Sequence, residues 1–291
     1  MRFSYLLQLA FALWIGAGFP AATTEYFAGE ASDDRAVQEI LDKAAEYCRK
    51  LKQAALHFTC TEEIEERIYQ PYIISFSRRS EPYTIEKNSY VYHYQFIKDG
   101  EDVEDKRILL SENGKAKNED NAPMKAKRFY PVWLIFGPLE FLSDHWQQYH
   151  EYKILREDVL DNRKAVVLEA KPRAPRVVEH LSGRLWIDES DFSILKIEWS
   201  QASLGDFEGV REMVQRYGAE PCIQLMAEYF YKKNGIRFPT RFVIQEDYYA
   251  KSEKLRKSRT TVEYTDYRVL SKDDPVSLYH STEHSMTGRK K

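Results

Sequence analysis

Glycine and proline are scarce, at 12 and 11 of 291 residues. That excludes a collagen-like or low-complexity chain. Only three cysteines are present, too few for a disulfide-stapled scaffold of this length. No sign of charge dominates, with 43 Lys+Arg against 46 Asp+Glu. A general nucleic-acid binder needs a basic surface to meet phosphates, so that class is set aside. Reactive signatures are missing too. There is no G-x-S-x-G elbow, no G-x-G-x-x-G, no G-x-x-x-x-G-K-[ST], no C-x-x-C and no H-E-x-x-H. His280 and His284 flank Glu283 at helical spacing, but they stand in a polar tail and read as solvated. Paired carboxylates such as Glu62-Glu63, Glu65-Glu66, Asp188-Glu189 and Glu246-Asp247 could serve a glycosidase. They fall where polar strand faces or turns explain them. No catalytic residue, metal or cofactor is therefore assigned, and a non-enzymatic protein is expected.

What is present begins with an export signal. Arg2 precedes an apolar run at 5–19, followed by small residues. The run is short for a membrane span and suits a leader cleaved between Gly18 and Thr24. An uncleaved anchor is the alternative. The domains expected are a signal peptide at 1–24, a single domain at 25–270 and a polar tail at 271–291. Localisation follows as exported, in the periplasm or cell envelope. Export permits a disulfide, and Cys48 and Cys60 are close in sequence and both inward by pattern, so a Cys48–Cys60 bridge is expected. The alternative is two buried thiols. Cys222 reads as a small buried residue.

Periodicity then divides the chain. Val37, Ile40, Leu41, Ala44, Cys48, Leu51 and Ala55 recur at spacings of three and four, which predicts an amphipathic helix over 33–55. Period-two patterns predict strands at 57–68, 72–79, 89–98, 106–112, 151–157, 164–171, 177–188, 192–203, 222–232, 235–248 and 258–270. On the first, Phe58, Cys60 and Ile64 share a face, with Glu62 as the exception. Residues 113–128 and 205–220 are polar and read as loops, the second with room for a short helix. Residues 129–149 are dense in large apolar groups, and Gly137-Pro138 divides them into two short helices. Short turns between strands imply antiparallel meanders.

The aromatics are the strongest signal. Tyr90, Tyr92, Tyr94 and Phe96 form a stripe on one strand, and Tyr229, Trp186 and Trp199 add to it. The plain reading is core. The functional reading is a concave apolar sheet surface for a lipid or acyl chain, gated by the insert. Candidate wall and lid residues are Tyr90, Tyr92, Tyr94, Phe96, Trp133, Phe136, Leu139, Trp199 and Tyr229.

The order of segments resembles the LolA/LolB/LppX-like group of exported lipoprotein and lipid carriers. The residues that carry the resemblance are the helix running into a strand (AVQEILDKAAEYCRKLKQAALHFTC), the insert PVWLIFGPLEFL, the hairpin GRLWIDESDFSILKIEW and the closing strand TTVEYTDYRVL. It spans roughly residues 33–270. It implies an α+β fold, a curved antiparallel half-barrel of about eleven strands with the helix and insert over its concave face. It also implies a carrier of lipids or acylated lipoproteins. No position matches a functional residue of those carriers, so none is carried over. The second function considered is an envelope interaction module with a filled core and a protein partner. The third, a hydrolase without a recognisable motif, requires a polar cluster of perturbed pKa at the cavity mouth.

Overall fold

The computed structural model describes residues 24–69, 84–129, 134–173, 181–201, 214, 215, 218, 220–250 and 253–270. The leader, the strand expected at 72–79, Trp133, residues 177–180, most of 205–220 and the tail lie outside them.

Helix α1 (Thr24–Gln53) carries Leu41, Ala44, Cys48 and Leu51 on one buried face. Its end is held from the sheet. The Lys98 ammonium donates to Lys52 O at 2.8 Å and to Ala54 O at 3.1 Å. These are carbonyls that the last helical turn leaves unpaired, and a cation there also suits the helix dipole.

The strands follow: β1 (Leu56–Tyr69), β2 (Thr84–Asp99), β3 (Asp102–Glu112), β4 (Lys115–Glu119), β5 (His150–Leu160), β6 (Arg163–Pro172), β7 (Gly183–Asp188), β8 (Ile194–Trp199), β9 (Glu220–Glu228), β10 (Tyr231–Lys233), β11 (Ile236–Phe238), β12 (Arg241–Ala250) and β13 (Glu253–Val269). Eleven form one open antiparallel sheet in the order β4-β3-β2-β1-β13-β12-β9-β8-β7-β6-β5. The last strand closes beside the first, with Phe58 opposite Val269 and Ile64 opposite Val262. The architecture is the curved half-barrel expected, with α1 and short helices against one face.

Three details differ from the sequence reading. Strand β4 lies inside the expected loop. It is fully exposed and carries no large apolar side chain, so no period-two pattern marks it. Asn113 and Gly114, at φ 51° and 74°, make the turn that returns it to β3. The hairpin expected across 222–248 is broken. Its tip peels away as a separate ribbon, β10 with β11. Pro239 follows that ribbon and has no N–H for a ladder, and the sheet resumes when Thr240 N donates to Glu228 O. The helix starts at Thr24 rather than near residue 33.

One face of the sheet is the core. On β1 the even positions from Phe58 to Glu66 point inward, and on β2 Tyr90, Tyr92, Tyr94 and Phe96 do the same. Two stretches, 120–129 and 134–149, lie against this face and are together called the strap. Its described parts are an extended run ending at Phe129, a turn at Leu134–Phe136, helix α2 (Leu139–Leu142) and helix α3 (Asp144–Gln147). At the far side of the sheet β7 and β8 approach closely at Gly183, opposite Trp199. A Cβ there would overlap the Glu198 carbonyl oxygen and stand 3.1 Å from Trp199 Cα. Backbone cannot give way as a side chain tip does. Gly183→Ala is therefore expected to destabilise the protein by about 1–3 kcal/mol, seen as a lower urea midpoint with an unchanged slope.

Candidate functional site

The aromatic stripe lies on the inward face of β2, in the core. Tyr90, Tyr92, Tyr94 and Phe96 are all buried. Phe96 meets Phe136 of the strap edge-on at 5.9 Å and stacks on Phe58 at 5.2 Å. Tyr92 donates to Pro123 O and accepts the Lys125 N–H, so the extended part of the strap runs over it. Burial pushes the Tyr94 phenol well above its ordinary pKa, and the Arg107 guanidinium covers its ring at 4.3 Å. Trp199 and Leu139 are half-buried against the same core, and Trp199 faces Phe141 at 6.5 Å. Trp133 lies outside the described residues.

Tyr229 sits at the centre of this arrangement. It is fully buried, and its hydroxyl donates to Leu134 O at 2.8 Å. Gly137 makes the approach possible, because a Cβ there would fall 2.7 Å from that hydroxyl. Tyr152 donates likewise to Phe141 O. Gln147 Nε2 reaches Leu41 O and Leu142 O, each at 2.8 Å, and Arg49 forms a forked pair with Asp144 at 2.7 and 2.8 Å. The strap is thus stitched to both the wall and α1. A void of about 10 Å³ lies beside Phe58, Tyr94, Phe96 and Tyr264. That is scarcely room for one water molecule.

Cys48 and Cys60 are not bridged. Both are buried free thiols. Cys48, on α1, points at Pro138 O of the strap at 3.6 Å, while Cys60, on β1, faces the phenol of Tyr267. The helix and the strand turn the two side chains towards different neighbours, so closeness in sequence did not become a pair. Burial pushes both thiols up, which makes them poor nucleophiles. Cys222 is half-buried rather than enclosed.

Charged residues that sequence reasoning passed over occupy the same interior. Glu62 is buried and takes two hydrogen bonds from Arg107, whose Nη1 also meets Asp105. Glu66, one strand period on, is buried as well. Its Oε1 accepts the Arg128 N–H at 2.6 Å and its Oε2 the Asn88 amide at 3.1 Å. Glu246 lies across β13 from it, accepting from Ser258 Oγ at 2.7 Å and Tyr248 at 3.1 Å. The Glu62 exception in the period was the signal, since the same parity carries on to Glu66. Arg237 is buried beneath the turn between β7 and β8, bonding Asp188 at 2.6 Å, Asp191 at 3.3 Å and Ser193. Glu62 and Arg237 are paired with opposite charges, so burial of those charges is offset. Among the described residues no three metal-ligating side chains converge.

A second concavity, a trough of about 820 Å³, crosses β6 to β9 and reaches Val243 of β12. Much of its charged lining is paired, Lys171 with Glu169 at 2.8 Å and Arg184 with Glu198 at 3.9 Å. Leu225, Met226 and Val243 supply apolar surface between them.

No family model matches the chain, and no curated protein matches it. Solved structures do. A domain described as an outer membrane lipoprotein-sorting protein domain from Vibrio parahaemolyticus is 12% identical, covering 81% of this chain and 94% of its own, with a TM-score of 0.40. A LolA superfamily protein from Nitrosomonas europaea is 15% identical over 80% of this chain and 93% of its own, at 0.33. The MucA/MucB complex of Pseudomonas aeruginosa matches at 9% identity, 80% and 99% coverage and 0.24. The group named by the second is the one that the sequence resembles. Scores this low carry no argument about what this chain binds.

Two outcomes follow from the buried groups. Alkylation in denaturant without reductant is expected to label all three cysteines, with Cys48 and Cys60 unreactive in the native protein, as read by mass spectrometry. Asp191 gives a pH test. Burial alone would raise its pKa, but Lys232, Ser193 and Arg237 outweigh burial and hold it at about 2, below the ordinary 3.8. A lowered folded pKa contributes stability above about pH 4 that is lost as pH falls towards 2. Asp191→Asn is expected to lower Tm at neutral pH, with the gap to the parent closing as pH falls from about 4 to 2.

Proposed function

We propose that this chain is a non-enzymatic binding protein of the cell envelope that takes a lipid, or the acyl chain of a lipoprotein, onto its concave aromatic wall in exchange for its own strap. The observation that carries this reading is the division of labour in the fold. The eleven-stranded ladder is continuous without the strap. The strap is fastened by separable contacts, chiefly the Tyr229 and Tyr152 hydroxyls on carbonyls. Each such bond contributes only about 0.5–1.5 kcal/mol net.

Magnitudes favour a reversible exchange. Phe129, Leu134, Ile135, Phe141 and Leu142 are the large strap side chains that are buried, and burying five such groups is worth roughly 8–15 kcal/mol. An acyl chain of about fourteen methylenes, at about 0.8 kcal/mol each, brings a similar amount. Displacement is then close to neutral, and small changes in wall or ligand decide its direction. The export signal expected at 1–24 supports the location.

The interaction-module reading is favoured by a different observation. The void beside Phe58, Tyr94, Phe96 and Tyr264 holds about 10 Å³, while the trough of about 820 Å³ is open.

Organic extraction of the protein beginning at residue 25, followed by mass spectrometry, separates the two. Stoichiometric lipid, or uptake of added lipid, supports the carrier. Tyr229→Phe removes the wall's hydrogen bond to Leu134 O and leaves that carbonyl only the Gly137 N–H of its own turn at 3.0 Å, so the carrier reading expects faster amide exchange across 134–142 with the sheet unchanged. An empty protein that takes up no lipid, with a strap as slow to exchange as the sheet, would establish the filled-core module instead.

A further inference from the structure

The polar end of the concave wall holds a feature that core packing does not explain. Thr260 of β13 is fully buried, and its hydroxyl has no hydrogen-bond partner. Register fixes its direction. Thr260 stands opposite Glu66 on β1 and opposite Ile244 on β12, and Ile244 is a core residue. Its side chain therefore projects into the concavity. Glu246 is one step along the same face, opposite Ser258. A buried hydroxyl without a partner is destabilising, and valine has the same shape without that penalty.

The two carboxylates beside it are short of positive charge. Glu66 is held by neutral donors, the Arg128 backbone N–H and the Asn88 amide. Glu246 is held by the hydroxyls of Ser258 and Tyr248. The one cation the described residues place against the pair is the Arg128 guanidinium, 3.7 Å from Glu246 Oε2, beyond hydrogen-bond length and a quarter exposed at 27%. Arg128 belongs to the strap. Lifting the strap removes both its N–H from Glu66 and its charge from Glu246, and leaves two buried carboxylates with an idle hydroxyl between them. Three acceptors that register brings to one end of the inward face suit one kind of group, a primary ammonium with its three donors. An acyl chain attached to it would run from Glu66 towards Phe58, eight residues or about 26 Å along β1.

We infer that Glu66, Glu246 and Thr260 form a subsite for a primary ammonium carried by the apolar ligand, and that Arg128 is its stand-in when the strap is down. The inference rests on the carrier reading and names the head of the ligand. An ethanolamine lipid and an acylated peptide with a free amine both supply this chemistry.

The test is uptake by the intact protein from vesicles of phosphatidylethanolamine or phosphatidylglycerol with the same acyl chains. A palmitoylated peptide with its amine free or acetylated is the parallel arm. Bound ligand is measured by mass spectrometry on the re-isolated protein. The expected result is about a tenfold preference for the ammonium form, equivalent to about 1.4 kcal/mol, in the lipid arm, the peptide arm or both. The arm that shows it identifies the source. Thr260→Val is expected to raise Tm yet reduce the preference, and Glu246→Gln to reduce it further with uptake of phosphatidylglycerol retained. A hydroxyl that is merely a packing fault would give the higher Tm with the preference intact, which overturns the assignment of Thr260. Equal uptake of both forms in both arms overturns the subsite and leaves the carrier reading standing. No uptake of any form overturns the carrier reading and the subsite with it.

Discussion

An open sheet with one strongly apolar face has to cover that face from within its own chain, and the rest of this molecule is arranged around that need. Burial of the aromatic wall is the largest favourable contribution available to the fold. Helix α1 and the strap exist as elements because their apolar stripes meet the wall. The strap's helices are not stable in isolation: α2 and α3 are four residues each, far below the length at which a helix is stable in water. The polar contacts do a different job. Lys98 on the end of α1, Tyr229 on Leu134 O and Gln147 on Leu41 O set where the cover sits. Their net energies are small, but each would leave an unpaired buried group if the cover shifted.

The buried charges obey the same division. Arg237 with Asp188, and Arg107 with Glu62, are enclosed pairs with their remaining donors satisfied. Such pairs add little net stability over well-packed apolar groups, but losing one partner is expensive. They therefore penalise alternative packings more than they strengthen the native one. Arg237 fastens the β10–β11 ribbon to the turn between β7 and β8, two parts of the chain that no sheet ladder joins. The Glu66 and Glu246 pair departs from this pattern, since its one cation is loosely placed and comes from the strap.

Much of the architecture was legible in sequence because period two and period 3.6 report burial on one face. The stripe from Tyr90 to Phe96 and the buried face of α1 were visible for that reason. The misses have specific causes. Strand β4 (KAKNE) buries nothing, so no pattern existed to find. Pro239 divides the late hairpin by removing one donor, an effect that depends on the neighbouring strand rather than on composition. Glu62 stood as an exception on its face and Glu66 was assigned with the other paired carboxylates to polar faces or turns, although parity pointed both inward. Arg237 sits in a three-residue strand whose residues are all buried, where alternation has no meaning. Disulfide pairing depends on how two elements rotate against each other, which spacing along the chain does not encode.

Close packing and function are compatible if the packing is exchangeable. A carrier with a permanently open apolar groove would expose a large patch to water and associate through it. On the carrier reading proposed above, filling the groove with a segment of the same chain avoids that without making the liganded state unreachable. The requirement is that the filler match the ligand in energy and in kind. The strap satisfies the first through apolar side chains comparable in burial to an acyl chain. It satisfies the second through Arg128, which presents a cation to Glu246 at the polar end of the same wall. A strap that resembled its ligand less would bind either too tightly to be displaced or too weakly to cover the sheet.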